Sequence, residues 1–326
     1  MKDLYDKFIE LFTGICAIEK HDGILLSGGL DSSIVSYHTR SSNAITILID
    51  KNSPDYYYSS LLYKNNFFKN HHIIFIDYNE IICNIEELVK DFKTFDPIFL
   101  KNSVVQLIGF KKAKELKIKS LAIGDGADEL FAGYNFFHRY IHEPEIIAQK
   151  IKYVKKNMDF VSKAFSKKIK VNIFLPFLNP AIIDFSDQLE IKDKISIYNG
   201  KYFGKFFLRK CYQELLGTEI VWRKKTALED GSGVTNIKNY IENFLITDLE
   251  YQREIKKIKL EEKVELRDKE HLFFYRIFRK YFNEPKKEDS IHEQIERERS
   301  KKCTYCNTNF IWDGNFCKVC GAFPAY

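Results

Sequence analysis

The stretch Ser27-Gly28-Gly29-Leu30-Asp31-Ser32-Ser33 follows the apolar run Gly23-Ile24-Leu25-Leu26 and precedes Ile34-Val35. This order predicts a strand, a tight loop and a helix. Two glycines let the backbone approach a ligand closely and turn its N–H groups toward it. Hydroxyls at Ser27, Ser32 and Ser33 add donors, and the helix N-terminus adds partial positive charge. Together these suit phosphate oxygens. A carboxylate at Asp31 would repel phosphate directly, so it reads as a ligand for Mg²⁺, which binds phosphates through carboxylate and water. The stretch is not a Walker loop, because no lysine follows its last glycine. The plain alternative is an ordinary glycine turn capped by Asp and Ser.

A second motif lies downstream, where residues 119–134 read Lys-Ser-Leu-Ala-Ile-Gly-Asp-Gly-Ala-Asp-Glu-Leu-Phe-Ala-Gly-Tyr. Ser120 to Ile123 reads as a short buried strand. Gly124-Asp125-Gly126-Ala127-Asp128-Glu129 then sets three carboxylates on a glycine-bent turn. Like charges this close are costly unless a cation or hydrogen-bond donors share them. Acidic caps on a helix N-terminus would account for one or two of them.

The two motifs together resemble the synthetase domain of asparagine synthetase B-type enzymes, shared with β-lactam synthetase and part of the wider PP-loop ATP pyrophosphatase group. Further matches keep the same order: Ser53-Pro54-Asp55, His71-His72, Asp96-Pro97, Leu175-Pro176-Phe177-Leu178, Leu208-Arg209, and Trp222-Arg223-Lys224-Lys225 ahead of Asp230-Gly231-Ser232-Gly233. The resemblance spans roughly residues 20–245. It implies an AMP- and pyrophosphate-forming ligase that uses ATP and Mg²⁺ to adenylate a carboxylate, by default aspartate, for attack by ammonia or another amine. Ser27, Gly28, Gly29, Asp31, Ser32 and Ser33 match the pyrophosphate loop, and Asp31 and Asp128 the Mg²⁺ carboxylates. Lys225 matches a lysine that stabilises charge during adenylation and amide formation; its plain alternative is a surface lysine beside Lys224. Asp125 takes the place of a glutamate that contacts the acyl-adenylate or the amine, with a reach shorter by roughly 1.5 Å. Leu26, Ile49, Ile123 and Gly124 are expected to line adenine and ribose.

Two departures from the family pattern stand out. Only 26 residues precede Ser27, so a glutaminase domain is expected to be absent. Nitrogen would then come from free ammonia, another amine or a separate partner. The family's Glu-x-Arg-x-Pro-Phe-Leu-Asp segment reads here Asn172-Ile173-Phe174-Leu175-Pro176-Phe177-Leu178-Asn179. Losing the arginine removes five donors, which opens the acid to candidates other than aspartate.

Strands expected at 23–27, 44–50, 72–77 and 119–123 alternate with helices at 32–40, 56–69, 80–93 and 103–117. A helix at 4–20 precedes them. This alternation argues for α/β architecture with a doubly wound parallel sheet, ligands binding at the carboxyl ends of its strands. A helical second half is expected at 144–168, 180–188, 201–216, 235–248 and 262–282. The expected domains are 1–250, a helical extension and charged linker over 251–302, and a zinc ribbon at 303–326.

Seven cysteines divide unevenly. Cys16, Cys83 and Cys211 are scattered, whereas Cys303, Cys306, Cys317 and Cys320 form Cys-x2-Cys-x10-Cys-x2-Cys, a spacing suited to tetrahedral thiolate-bound zinc. Gly314 and Gly321 supply turns. With four protein ligands such an ion is structural. The net charge of +6 permits a nucleic-acid partner without requiring one. Lysines 150, 152, 155, 156, 163, 167, 168 and 170 face only Asp159. They form either a solvated helix face or a polyanion patch, and tRNA modification is the alternative function. No signal-type leader or membrane-length apolar run is present, so a cytoplasmic protein is expected.

Overall fold

The computed structural model describes residues 2–18, 20–283, 301–310 and 316–325. The chain divides into two compact units: Met1–Phe75 with Gln106–Gly233, and Ile76–Val105 with Val234–Tyr326. This is a division by packing, and it does not follow the chain linearly. Among the described residues no helix is long and apolar enough to cross a membrane.

The first unit is built on five parallel strands: β1 (Gly23–Leu25), β2 (Asn43–Leu48), β3 (Asn70–Phe75), β4 (Ser120–Ala122) and β5 (Asn172–Phe174). Their order is β3-β2-β1-β4-β5. The chain moves outward from β1 to β3 and then returns to lay β4 against the other side of β1. The carboxyl ends of β1 and β4 therefore flank a topological switch point, where open α/β sheets bind ligands. β2 is buried from Ala44 to Leu48, as a central parallel strand must be. The fold is the doubly wound α/β class expected from the alternation, with a helical remainder.

Helices α1 (Lys2–Ala17), α2 (Leu30–Thr39), α3 (Pro54–Lys64), α4 (Tyr78–Phe92) and α5 (Pro97–Glu115) come before β4. α1 buries Phe8, Phe12, Ile15 and Cys16, one stripe at helical spacing. Phe8 meets Phe131, Phe207 and Tyr212 edge-on, at ring distances of 5.5–6.4 Å. This aromatic cluster packs the helical part of the unit against α1.

After β4 come α6 (Ala127–Leu130), α7 (Pro144–Lys156), α8 (Val161–Ile169), α9 (Pro180–Asp187), α10 (Ile191–Lys194), the hairpin β6 (Ile195–Tyr198) and β7 (Lys201–Gly204), α11 (Phe206–Leu216), α12 (Thr218–Val221) and α13 (Leu228–Gly231). Three expectations need correction. The helix expected at 144–168 is two, because the Asn157 side chain bonds back to Tyr153 O at 2.8 Å and closes α7, the local competition that makes Asn a poor helix interior residue. The helix expected to begin at 201 begins at 206. The preceding residues form β7, paired with β6 across Asn199-Gly200, both at positive φ, an Asn-Gly hairpin turn. Finally, Asn172–Phe174 is a fifth sheet strand; unlike the equally short β1 and β4, it leads into no glycine-rich motif that would mark its end.

The second unit holds α4, the start of α5, α14 (Ile237–Tyr240) running into a π-turn at Ile241–Leu245, α15 (Asp248–Glu261) and α16 (Lys269–Tyr281). The segment expected as one helix at 235–248 stops before Thr247, which opens α15 with a capping box to Glu250. α16 starts where Asp268 accepts from the His271 amide. A two-residue ladder, β8 (Lys301–Lys302) with β9 (Asn309–Phe310), lies in the cysteine segment. Most of the expected charged linker, residues 284–300, and the expected turn at Gly314 lie outside the described residues.

Candidate active site

The loop between β1 and α2 is held open by its own hydroxyls. Ser27 Oγ accepts from the Gly29 amide at 3.2 Å, and Ser33 Oγ donates to Gly29 O at 2.7 Å. Ser32 Oγ lies 3.2 Å from both Ser27 Oγ and Gly29 O. Gly28 has φ +67°, and a Cβ there would stand 2.6 Å from the backbone of Tyr58 and Ser59, so only glycine fits. Across the switch point, a Cβ on Gly124 would stand 2.9 Å from Asp31 Cβ and 3.1 Å from Ser32 N. The loop after β4 thus lies directly against the first turn of α2.

That close approach gathers the charged groups. Lys205 Nζ donates to both oxygens of Asp31, at 2.9 and 2.8 Å, and to Asp128 Oδ1 at 2.7 Å. Lys225 Nζ donates to Asp128 Oδ2 at 2.7 Å. Burial opposes ionisation of Asp128, but the two ammoniums outweigh it and hold its carboxyl well below the usual range. Asp31 shares only one of them, and burial pushes its carboxyl up. Burial alone would depress the Lys225 ammonium, yet Asp128 and Asp31 raise it. Lys225 therefore faces the carboxylates while its neighbour Lys224 is exposed.

Lys205 was not singled out by sequence reasoning. One lysine among 51 basic residues carries little signal; its placement after Gly204, just ahead of an amphipathic helix, is the local clue. It sits in the left-handed region at φ 54° and bonds through its amide to Phe131 O at 2.9 Å. Arg209 fixes both lysine-bearing segments. Its guanidinium donates to the carbonyls of Gly204, Val221 and Arg223. Arg223 in turn donates to Ser27 O at 3.0 Å and to the buried Asp55 carboxylate. The matched segments at 53–55 and 222–225 thus prop the loop from behind.

Asp125 is also brought to this end of the sheet. Its carboxylate accepts from Ser162 Oγ at 2.7 Å, a contact sequence reasoning missed. Burial pushes its carboxyl up to about 6, against the Ser162 bond and with help from Asp31 and Asp128. Glu129 instead turns to the Tyr134 hydroxyl. A cleft of about 470 Å³ opens beside Lys225, walled by Tyr134, Asn135, Lys224, Thr226 and Asp230. Of the residues expected to line a base and ribose, Leu26 and Ile123 are buried and Ile49 is half-buried, each following its strand's carboxyl end. In the segment that departs from the family pattern, Phe174 stacks on His21 with ring centroids 4.2 Å apart.

Two further expected features lie away from this cluster. The lysines of 150–170 are spread over α7, α8 and the turns after them. Lys155 pairs with Asp187 and Lys150 lies 4.5 Å over the Tyr140 ring, so part of their charge is engaged locally. The sulfurs of Cys303, Cys306, Cys317 and Cys320 lie within 4.8 Å of one another, and all four residues are buried.

A parallel α/β sheet with a serine-glycine loop, a helix N-terminus and converging carboxylates at its switch point is an arrangement suited to phosphate groups and a cation. Comparison with known proteins narrows this class. Residues 20–174 match the asparagine synthase family model. The chain is 27% identical over 231 residues to the glutamine-hydrolyzing asparagine synthetase B of Escherichia coli K12, covering 65% of this chain and 41% of that protein. It is 27% identical over 231 residues to a probable glutamine-hydrolyzing asparagine synthetase of Acanthamoeba polyphaga mimivirus, covering 68% and 42%. For the probable asparagine synthetase of Dictyostelium discoideum the figures are 26% over 257 residues, 68% and 44%. The chain thus spans about two-fifths of the length of these relatives.

Proposed function

We propose that the protein is an ATP-dependent, AMP- and pyrophosphate-forming carbon–nitrogen ligase. It adenylates a small carboxylic acid, by default aspartate, for attack by ammonia or another amine. The observation that carries this reading is the shared ion cluster: one ammonium, Lys205, joins Asp31 and Asp128 beside the Ser27–Ser33 loop. The two carboxylates converge on one point and offer hard oxygen donors, a set that suits Mg²⁺. Asp31 and Asp128 would hold it, and its bound charge would neutralise the departing pyrophosphate.

In the proposed reaction a carboxylate oxygen of the acid attacks the α-phosphorus of ATP, and the bond to the β-phosphate oxygen breaks. Ser27, Gly28, Gly29, Ser32 and Ser33 cradle the pyrophosphate through N–H and hydroxyl donors. Lys205 and Lys225 stabilise charge that grows on the phosphates, the kind of preorganised term that dominates such transfers. The amine then attacks the acyl carbon, Asp125 takes up the proton it sheds, and AMP leaves with one oxygen of the acid. Leu26, Ile49, Ile123 and Gly124 border the base and ribose, and the cleft beside Lys225 receives the acid. The cysteine cluster holds a structural zinc, and four thiolate ligands fit a reducing cytoplasm.

The test follows one oxygen atom. With an ¹⁸O-labelled carboxylic acid, ATP, Mg²⁺ and ammonium, AMP should carry one label per turnover. Unlabelled AMP, or ADP as product, would overturn the adenylation reading.

A further inference from the structure

The four cysteines lie at the end of the chain, yet their two turns are sewn into the second unit by backbone hydrogen bonds. The second turn meets residues 94–96. Phe95 N donates to Val319 O at 2.8 Å, and the Thr94 hydroxyl lies 2.8 and 2.9 Å from the carbonyls of Lys318 and Val319. Gly321, at φ +73°, lies so close to Asp96 that a Cβ would stand 2.1 Å from its carboxylate. That carboxylate is itself engaged, accepting from the amides of Ile98 and Phe99 at the start of α5.

The first turn meets a different segment. Glu265 N donates to Tyr305 O at 2.7 Å, and Asn307 Nδ2 to Lys263 O at 3.1 Å. Arg267, two residues on, reaches the second turn at Gly321 O and Cys320 O. The second turn therefore grips residues 94–96, while segment 263–267 meets both turns.

The two halves of the cysteine segment are joined by the Thr304 amide, which donates to Ala325 O at 2.7 Å, and by the cluster itself. Cys303 Sγ lies 3.7 Å from Cys320 Sγ, and Cys306 Sγ lies 3.7 Å from Cys317 Sγ. Four thiolates at about 2.3 Å from a tetrahedral zinc are separated by about 3.8 Å along each edge. A disulfide would need sulfurs near 2.05 Å. Each contact at 3.7 Å links one turn to the other, so an ion at the centre closes both turns together.

We propose that this centre is a zinc clasp internal to the second unit, which fastens the start of α5 to the 263–267 segment; it rests on the reading of the four cysteines as a zinc site. Metal binding is then coupled to the order of those two segments.

The full-length protein tests this without any assay of ligase activity. Metal analysis should give one zinc per chain. Stripping it with a chelator should speed hydrogen exchange of the Phe95 and Glu265 amides together, by about a hundredfold or more. Two variants that keep all four cysteines, Thr94→Val and Arg267→Ala, should release zinc to a coloured chelator faster than the natural chain. Absence of zinc, or a disulfide within the cluster, would overturn the metal reading. Zinc that leaves with no change in exchange at Phe95 and Glu265, or with unaltered release in both variants, would overturn the clasp.

Discussion

Four charged side chains, Asp31, Asp128, Lys205 and Lys225, close a neutral network where β1 and β4 diverge. Removing Lys205 leaves Asp31 without its ion-pair partner, and removing Asp128 does the same to Lys225, each a costly loss for a group held largely away from water. Asp125 stands apart, with one hydroxyl partner and its carboxyl pushed by burial from 3.8 to about 6. Between those values the folded chain holds a proton that the unfolded chain has lost. Stability therefore falls as pH rises through that window and levels off above it. Asp125→Asn removes this contribution. Its stability relative to the natural chain should rise by about 1–3 kcal/mol between pH 4 and pH 8, read from urea midpoints at the two pH values. A difference that does not change with pH would mean that the carboxyl is not shifted. Single residues also mark where sequence reading stops. Asp31 and Asp128 are legible because each stands in a contiguous glycine-rich run. Lys205 and Ser162 are not, since their partners lie 174, 77 and 37 positions away and nothing local sets them apart.

Two elements hold the phosphate-type loop in shape. The loop itself is one, through its hydroxyls and the left-handed Gly28. The other is the segment from Gly204 to Lys225, strapped by Arg209 and anchored by Arg223. The Arg223–Asp55 pair is deeply buried, and burial drives the Asp55 carboxyl up to about 6, offset in part by Arg223. Asp55→Ala leaves a buried guanidinium without its counter-charge and should cost about 3–5 kcal/mol. Arg223 would then lose its hold on Ser27 O, so loop geometry and stability should fail together. Denaturant titration of the variant checks this, and a loss below 1 kcal/mol would contradict the prop. The same elements show why the fold was only partly readable. Strands β1 to β4 announce themselves as apolar runs bounded by turns. β1 and β4 are themselves only three residues long but each leads into a glycine-rich motif, whereas β5 and β7, three and four residues long, lead into none. The Asn199-Gly200 turn was the overlooked hairpin signal.

Across the molecule, sheet, loop and ion cluster all belong to the first unit and the cysteine centre to the second. The nucleotide chemistry proposed here therefore has every named residue within one packing unit. The asparagine synthase match over residues 20–174 covers the loop, Asp31, Asp125 and Asp128. It ends before Lys205 and Lys225; the sequence resemblance already reaches Lys225, whereas only the folded arrangement joins Lys205 to them. The central claim is that these groups together let a carboxylate displace pyrophosphate from ATP. The most direct measurement is exchange of labelled pyrophosphate into ATP, with Mg²⁺ and a panel of small carboxylic acids, in the natural chain and in Lys205→Met. The account predicts acid-dependent exchange that falls by about a hundredfold or more in the variant. Exchange that ignores the acid, or that survives the loss of Lys205 undiminished, would contradict it.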